Sequence, residues 1–116
     1  KTLVDAFEKA GFDFVRFSEI DLGTIPRETA EDVLLLLVDE ERVVRINEEM
    51  FTMKYLMDEA EEKIRKHLEN EDVITIAQVR DMFSTSRKSA KPILEYMDSI
   101  KVTKKTGAES ERVAYL

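Results

Sequence analysis

The sequence predicts a mainly α chain with small β wings, arranged as two tandem modules of three helices and a hairpin. Three observations lead there. An apolar frame at helical spacing, Ala30, Val33, Leu34 and Leu37, returns sixty positions later as Ala90, Ile93, Leu94 and Met97. Each copy is followed by a short stretch that reads as a hairpin. No Pro/Gly-rich linker interrupts the chain, which has only 3 Gly and 2 Pro in 116 residues. That length fits one domain or two small ones, and modules of about 55 residues would each have a modest core.

In chain order, Leu3, Ala6, Phe7 and Ala10 recur at helical spacing, and Gly11 is a C-terminal stop. Ser18 to Leu22 is at most a short helix before the breaker Gly23. Pro26 suits the first turn of the next helix, where its missing N–H costs nothing. That helix runs to about Glu40. Arg42 to Ile46 alternates as a strand, Asn47-Glu48-Glu49 turns, and Met50 to Met53 returns. Lys54 to Glu69 is helical, with Leu56, Met57, Ala60, Ile64 and Leu68 on one face. Thr75 is an N-cap for Ile76 to Phe83, whose Ile76, Val79, Met82 and Phe83 turn inward. Ser84-Thr85-Ser86 is a turn that supplies the next cap, and the following helix ends near Ser99. Lys101 to Thr106 and Glu111 to Leu116 form a last hairpin around Gly107. Three helices and a two-stranded hairpin make the winged-helix arrangement, a helix-turn-helix with a β wing. The same pattern also suits a generic α+β module. The expected modules are 1–53, acidic, and 54–116, with a basic face.

Charge separates the two copies. The net charge is −7, but residues 1–53 carry 6 basic and 13 acidic side chains, and residues 73–116 carry 8 and 5. An acidic mean argues against non-specific nucleic-acid binding by the whole chain. The polarity puts any polyanion site in the last third. An apolar fraction of 43% argues against disorder. The absence of cysteine excludes disulfides and thiolate metal sites. The longest apolar run, Val33 to Val38, is too short to span a bilayer. With no signal-peptide pattern, a cytoplasmic protein is expected, and a start at Lys1 without Met reads as a fragment of something longer.

No catalytic residue or metal ligand set emerges. His67 is the only histidine and lies on a charged helix beside Arg65, Lys66 and Glu69, as a surface residue would. Glu59, Glu61 and Glu62 are dense carboxylates that need not converge on a helix. There is no nucleophile–base pair and no glycine-rich phosphate loop.

The second module carries the candidate site. At about 100° per residue, Arg87, Lys88, Lys91, Glu95 and Asp98 share one arc, opposite the apolar stripe. Arg87 and Lys88 stand in the first turn, where the helix dipole disfavours cations by about 0.3–1 kcal/mol each. A phosphate there would meet backbone N–H groups, Ser86 and two cations together. A solvated charged face is the alternative. Pro92 removes one helical hydrogen bond, and a slight kink is expected. The wing carries Lys101, Lys104, Lys105 and Arg112, with Glu109 and Glu111 near its tip. These cations would grip backbone flanking the helix, or serve as edge-strand lysines that deter aggregation. Arg80, on the preceding helix, shares that surface or pairs with a neighbour of Asp81. Tyr96 and Tyr115 read as packing residues rather than stacking platforms.

Arg80-Asp81, Thr85-Ser86-Arg87-Lys88, Leu94-Glu95-Tyr96, Asp98, Val102-Thr103-Lys104 and Arg112-Val113 together closely resemble the C-terminal end of the bacterial selenocysteine-specific elongation factor family, SelB. Residues 1–70 fit, more loosely, the winged helix that precedes it in that family. The resemblance implies a translational GTPase that delivers selenocysteyl-tRNA at a recoded UGA on the ribosome. Its last winged helix holds an mRNA hairpin, the selenocysteine insertion element. GTP and Mg would belong to a GTPase region outside this chain, leaving no cofactor here. Carried over, Ser86, Arg87, Lys88 and Arg112 become RNA contacts, with Arg80, Lys91, Lys104 and Lys105 around them. Family members often carry a larger, aromatic residue where this chain has Ser89. Lys91 and the wing tip Ala108-Glu109-Ser110 are features of this chain.

Three functions follow. An RNA anchor, a monomer with no membrane partner, is favoured, because a winged helix on RNA should hold backbone phosphates and read unstacked loop bases. A DNA-binding regulator is a common use of the fold, but the equivalent helix of the first module is acidic. In a protein-interaction module, the face of Arg27, Glu28, Glu31 and Asp32, with Leu35 and Leu36 partly exposed, would meet a basic partner such as a ribosomal surface. A solvated face is the simpler reading of it.

Overall fold

The computed structural model describes residues 2–108 and 110–115. The chain divides into two compact units, Lys1–Met57 and Asp58–Leu116. Each unit is a winged helix built from helices and one small antiparallel sheet.

In the first unit, α1 (Thr2–Ala10) ends where Gly11 takes φ +59° and its N–H reaches the Phe7 carbonyl at 3.1 Å. Glycine is at home in that left-handed position because it has no Cβ to clash. A two-residue strand β1 (Val15–Arg16) and a single 3₁₀ turn (Phe17–Glu19) lead to α2 (Arg27–Asp39). The hairpin β2 (Val43–Arg45) and β3 (Met50–Met53) follows. β3 is central, with Phe51 opposite Val15 on one side and Arg45 on the other. Leu3 and Phe7 of α1, Leu34 and Leu37 of α2, and Val43 and Met53 of the hairpin close one core.

The helix α3 (Lys54–Asn70) contains the division between the units. In the second unit its Ala60 and Ile64 are fully buried. Next come β4 (Ile74–Thr75), α4 (Ile76–Met82), α5 (Arg87–Ser99), β5 (Thr103–Lys105) and β6 (Glu111–Ala114). β6 is central, between β4 and β5. Ile74, Val79, Ala90, Ile93, Leu94 and Met97 have no exposed surface at all. Thr75 caps α4 as its sequence predicts. Its hydroxyl accepts from the Gln78 N–H at 3.1 Å, and the Gln78 side-chain carbonyl accepts from the Thr75 N–H at 2.9 Å.

The sequence repeat is a structural repeat. α2 and α5 have the same length and start sixty residues apart, and so do β2 and β5. Both helices end in the same left-handed stop. Glu41 at φ +60° and Lys101 at φ +64° close it. The N–H groups of Glu41 and Arg42 bond the carbonyls of Val38 and Leu37, and those of Lys101 and Val102 bond Asp98 and Met97. The returning strands are offset by one more residue, because the turn of the second hairpin is longer. Phe51 therefore stands where Arg112 stands, each at the centre of its sheet.

Several expectations need correction. The strands β1 and β4 were not expected; their partners lie some 35 residues downstream, beyond any local pattern. Pro26 precedes α2 with ψ 143°, and its carbonyl accepts from the Ala30 N–H at 3.1 Å, so it caps rather than opens the first turn. Val33 is 37% exposed while its counterpart Ile93 is fully buried, so the first apolar frame is only partly used for packing. His67 is not on the open surface: it is half-buried, with Nε2 3.0 Å from the Val73 carbonyl oxygen. Glu109 and Leu116 lie outside the described residues.

The capping box gives a test. Thr75→Ala should lower stability by about 1 kcal/mol, read as a lower urea midpoint at unchanged slope.

Candidate nucleic-acid interface

The candidate site starts where α5 starts. Ser86 is its N-cap in extended conformation, and its backbone carbonyl accepts from the N–H groups of Ser89 at 3.1 Å and Ala90 at 2.9 Å. Its hydroxyl makes no capping bond. The N–H groups of Arg87 and Lys88 occupy the first turn, where no intrahelical carbonyl can reach them. Ser86, Arg87, Lys88 and Lys91 are all exposed. Among the described residues no carboxylate pairs with Arg87 or Lys88. Two cations, a hydroxyl and orphan N–H groups therefore converge on one helix end, each suited to a phosphate oxygen.

The helix is held in that attitude by its apolar side. Ala90, Ile93, Leu94 and Met97 are buried, and Ser89 and Pro92 are buried with them. A buried Ser89 presents no platform on which a base could stack. Pro92 has no N–H for the Lys88 carbonyl one turn earlier, which leaves that acceptor to other donors.

The wing joins α5 near the helix's other end. The Asp98 carboxylate accepts from the Thr103 hydroxyl at 2.6 Å through one oxygen, and from Arg112 Nε at 2.9 Å through the other. Arg112 Nη1 also donates to the Glu111 carbonyl at 3.1 Å. The Arg112 side chain is 0% exposed and that of Asp98 23%. This overturns two expectations. Arg112 is not a surface cation of the wing but the interior half of an ion pair. Asp98 does not face open water; it turns from the charged arc of α5 toward the hairpin. The reason is the pleat: Arg112 lies opposite the fully buried Ile74 in the ladder, and residues paired across strands share one face of the sheet, here the one turned to the core.

Of the remaining wing cations, Lys104 and Lys105 are exposed on β5, while Thr103 before them is buried. Lys101 lies over the Tyr115 ring at 6.0 Å. Arg80, on α4, pairs with Asp81 itself at 3.1 Å on an exposed surface, a contact that a competing anion can exchange. The structure thus gathers Ser86, Arg87, Lys88 and Lys91 along one side of α5 and leaves Lys104 and Lys105 on the hairpin. Asp98, missed as a positioning group, links the two. Its only sequence signal is its place near the end of a helix followed by a hairpin containing an arginine.

Among the described residues there is no cluster of three or more potential metal ligands, and no helix is long and apolar enough to cross a membrane.

Residues 66–110 match the family model described as elongation factor SelB, winged helix. The selenocysteine-specific elongation factor of Desulfomicrobium baculatum is 34% identical over 82 residues, 68% of this chain and 13% of that protein. The chain thus spans a small part of the length of that relative. Two solved structures share the fold. The mRNA-binding domain of elongation factor SelB from E. coli, in complex with SECIS RNA, superposes with a TM-score of 0.69 at 21% identity, over 78% of this chain and 74% of that one. Bacterial selenocysteine-specific elongation factor EF-Sec superposes at 0.73 and 22% identity, over 97% of this chain and 17% of that one.

The buried pair predicts its own energetics. Asp98→Ala leaves the Arg112 guanidinium buried without its carboxylate and should cost about 3–5 kcal/mol. Asp98→Ala combined with Arg112→Met removes the stranded charge and should regain most of that loss. Urea unfolding of the two single variants and the double variant checks the cycle.

Proposed function

We propose that this chain, whose residues 66–110 match the winged-helix model of elongation factor SelB, is the RNA-anchoring segment of a selenocysteine-specific translation factor. Its α5 surface holds an mRNA hairpin, the selenocysteine insertion element, so that the factor waits beside the UGA codon. The rest of such a factor would carry selenocysteyl-tRNA to the ribosome in the cytoplasm. This segment performs no catalysis; it binds.

One observation supports the reading above the others: two exposed cations, Arg87 and Lys88, stand at a helix start that disfavours them. Their cost is offset when a phosphate sits there. The patch is small. The deep, narrow major groove of an RNA duplex would not admit α5, whereas a hairpin loop offers phosphates and unstacked bases at its tip. Lys104 and Lys105 extend the cationic surface onto the hairpin, where they suit the flanking backbone. Arg112 and Asp98 take no direct part. They hold the wing to α5 and so fix where those lysines lie.

A titration against a selenocysteine insertion hairpin at several salt concentrations tests this. The chain should bind with an affinity that falls steeply with salt. Arg87→Glu with Lys88→Glu should weaken binding at least tenfold and reduce the log–log salt slope by about 2. Lys104→Glu with Lys105→Glu should also weaken binding, but without changing discrimination between loop sequences. Tighter binding to a DNA duplex of equal length in direct competition, or binding indifferent to the Arg87/Lys88 change, would overturn the reading.

A further inference from the structure

The first unit contains the same place on the same fold with different chemistry. Because α2 and α5 coincide at a spacing of sixty, Glu31 occupies the position of Lys91 and Leu35 that of Glu95. Because the central strands align through their pairing, Phe51 occupies the position of Arg112. The second unit thus presents a cation and a carboxylate above a buried ion pair. The first presents a carboxylate and a leucine above a phenylalanine.

Beside α2 lies a cleft of about 440 Å³, lined by Phe17, Leu35 and Phe51 and by Glu31, Glu48 and Glu49. Its size lies in the range of about 300–1,000 Å³ usual for ligand sites. Leu35 is 67% exposed, and the adjoining Leu36 is 55% exposed. Packing does not require a leucine at 35, since the equivalent position holds the exposed Glu95. A leucine so exposed is unfavourable in the free chain, and the fold offers it no cover.

Charge selects the occupant. Residues 1–53 carry 13 acidic side chains against 6 basic ones. Of the cations around the cleft, Arg27 lines it over the Phe17 ring at 5.2 Å, Arg45 lies over the Phe51 ring at 5.8 Å and donates to the Glu48 backbone carbonyl rather than to a carboxylate, and Arg16 reaches Glu49 only through an exposed pair at 3.6 Å. The carboxylate edge remains. A second copy of this chain would set one acidic edge against another, and RNA would be repelled by both. We propose that this cleft of the first unit docks a basic amphipathic polypeptide segment, its apolar side chains on Phe17, Leu35 and Phe51 and its Lys or Arg side chains on Glu31, Glu48 and Glu49. This is the helix-in-groove mode of recognition. It is independent of the RNA reading, because the two faces belong to different units and carry opposite charge.

The test uses the full chain, isotope-labelled for NMR, and a synthetic Leu/Lys amphipathic helix about four turns long as the probe. Two controls match it in length: one with serine in place of leucine, one with glutamate in place of lysine. Saturable binding of the Leu/Lys probe alone is expected, with shifts centred on residues 17, 31–35 and 51. Glu31→Lys with Leu35→Glu installs the residue types of the second unit, so the fold should be kept, as circular dichroism would verify. That variant should bind at least tenfold more weakly, about 1.4 kcal/mol, while its affinity for the hairpin RNA stays unchanged. Equal binding of the Ser/Lys control, shifts elsewhere, or an unchanged variant would overturn the proposal. So would dimerisation through the cleft on raising the concentration, or displacement of the probe from it by RNA.

Discussion

Asp98 is the group on which the attachment of the basic wing depends. A hairpin of three- and four-residue strands has little stability of its own and must be fastened to something. In the second unit the fastening is one carboxylate shared between a hydroxyl on β5 and a guanidinium on β6, both projecting from the wing toward the last turn of α5. The arginine is fully interior, so the interaction works at short range and with little screening by salt. Lys104 and Lys105 then leave from a ladder whose register and attachment are both set. Surface cations of this kind recognise a rigid partner only if the backbone beneath them is equally rigid.

The first unit solves the same problem without ions. Val38, Phe51 and Thr52 stand at or beside the equivalent positions; Val38 and Phe51 pack against a wholly apolar core. The Thr52 hydroxyl is buried with no hydrogen-bond partner among the described residues, a small cost carried by that core. Two ways of fastening a wing have followed a duplicated frame, and each leaves a different surface. An ion pair takes the arginine inward and leaves lysines outside. A phenylalanine at the same ladder position lies half-exposed and lines a cleft.

Duplication accounts for how the chain holds two opposite surfaces in one fold. Everything common to both units is backbone-directed: the left-handed stop after the long helix, the ladder of three strands, the apolar stripe that meets the other helices. Apart from the exchange of Asp98 and Arg112 for Val38 and Phe51, what differs most is the set of side chains pointing outward, which the fold does not constrain. Arg87, Lys88 and Lys91 along α5, and Glu28, Glu31 and Leu35 along α2, are therefore set by something other than the packing of the fold.

The sequence alone determined the local structure and the charge. Helical spacing placed α1, α2, α3 and α5 to within a residue or two, Thr75 announced an N-cap, and the spacing of sixty announced the duplication, because each of these signals lies in the residue pattern itself. It also placed the cations of α5 on the exposed side, since the apolar stripe fixes the opposite face. Only the tertiary structure decided what depends on residues far apart in the chain. β1 and β4 are strands because distant strands pair with them. Arg112, Asp98 and His67 look like surface charges in sequence, yet they turn inward because a partner is waiting there. Val33 belongs to the apolar frame in sequence, yet it is 37% exposed because the packing of its unit does not reach it.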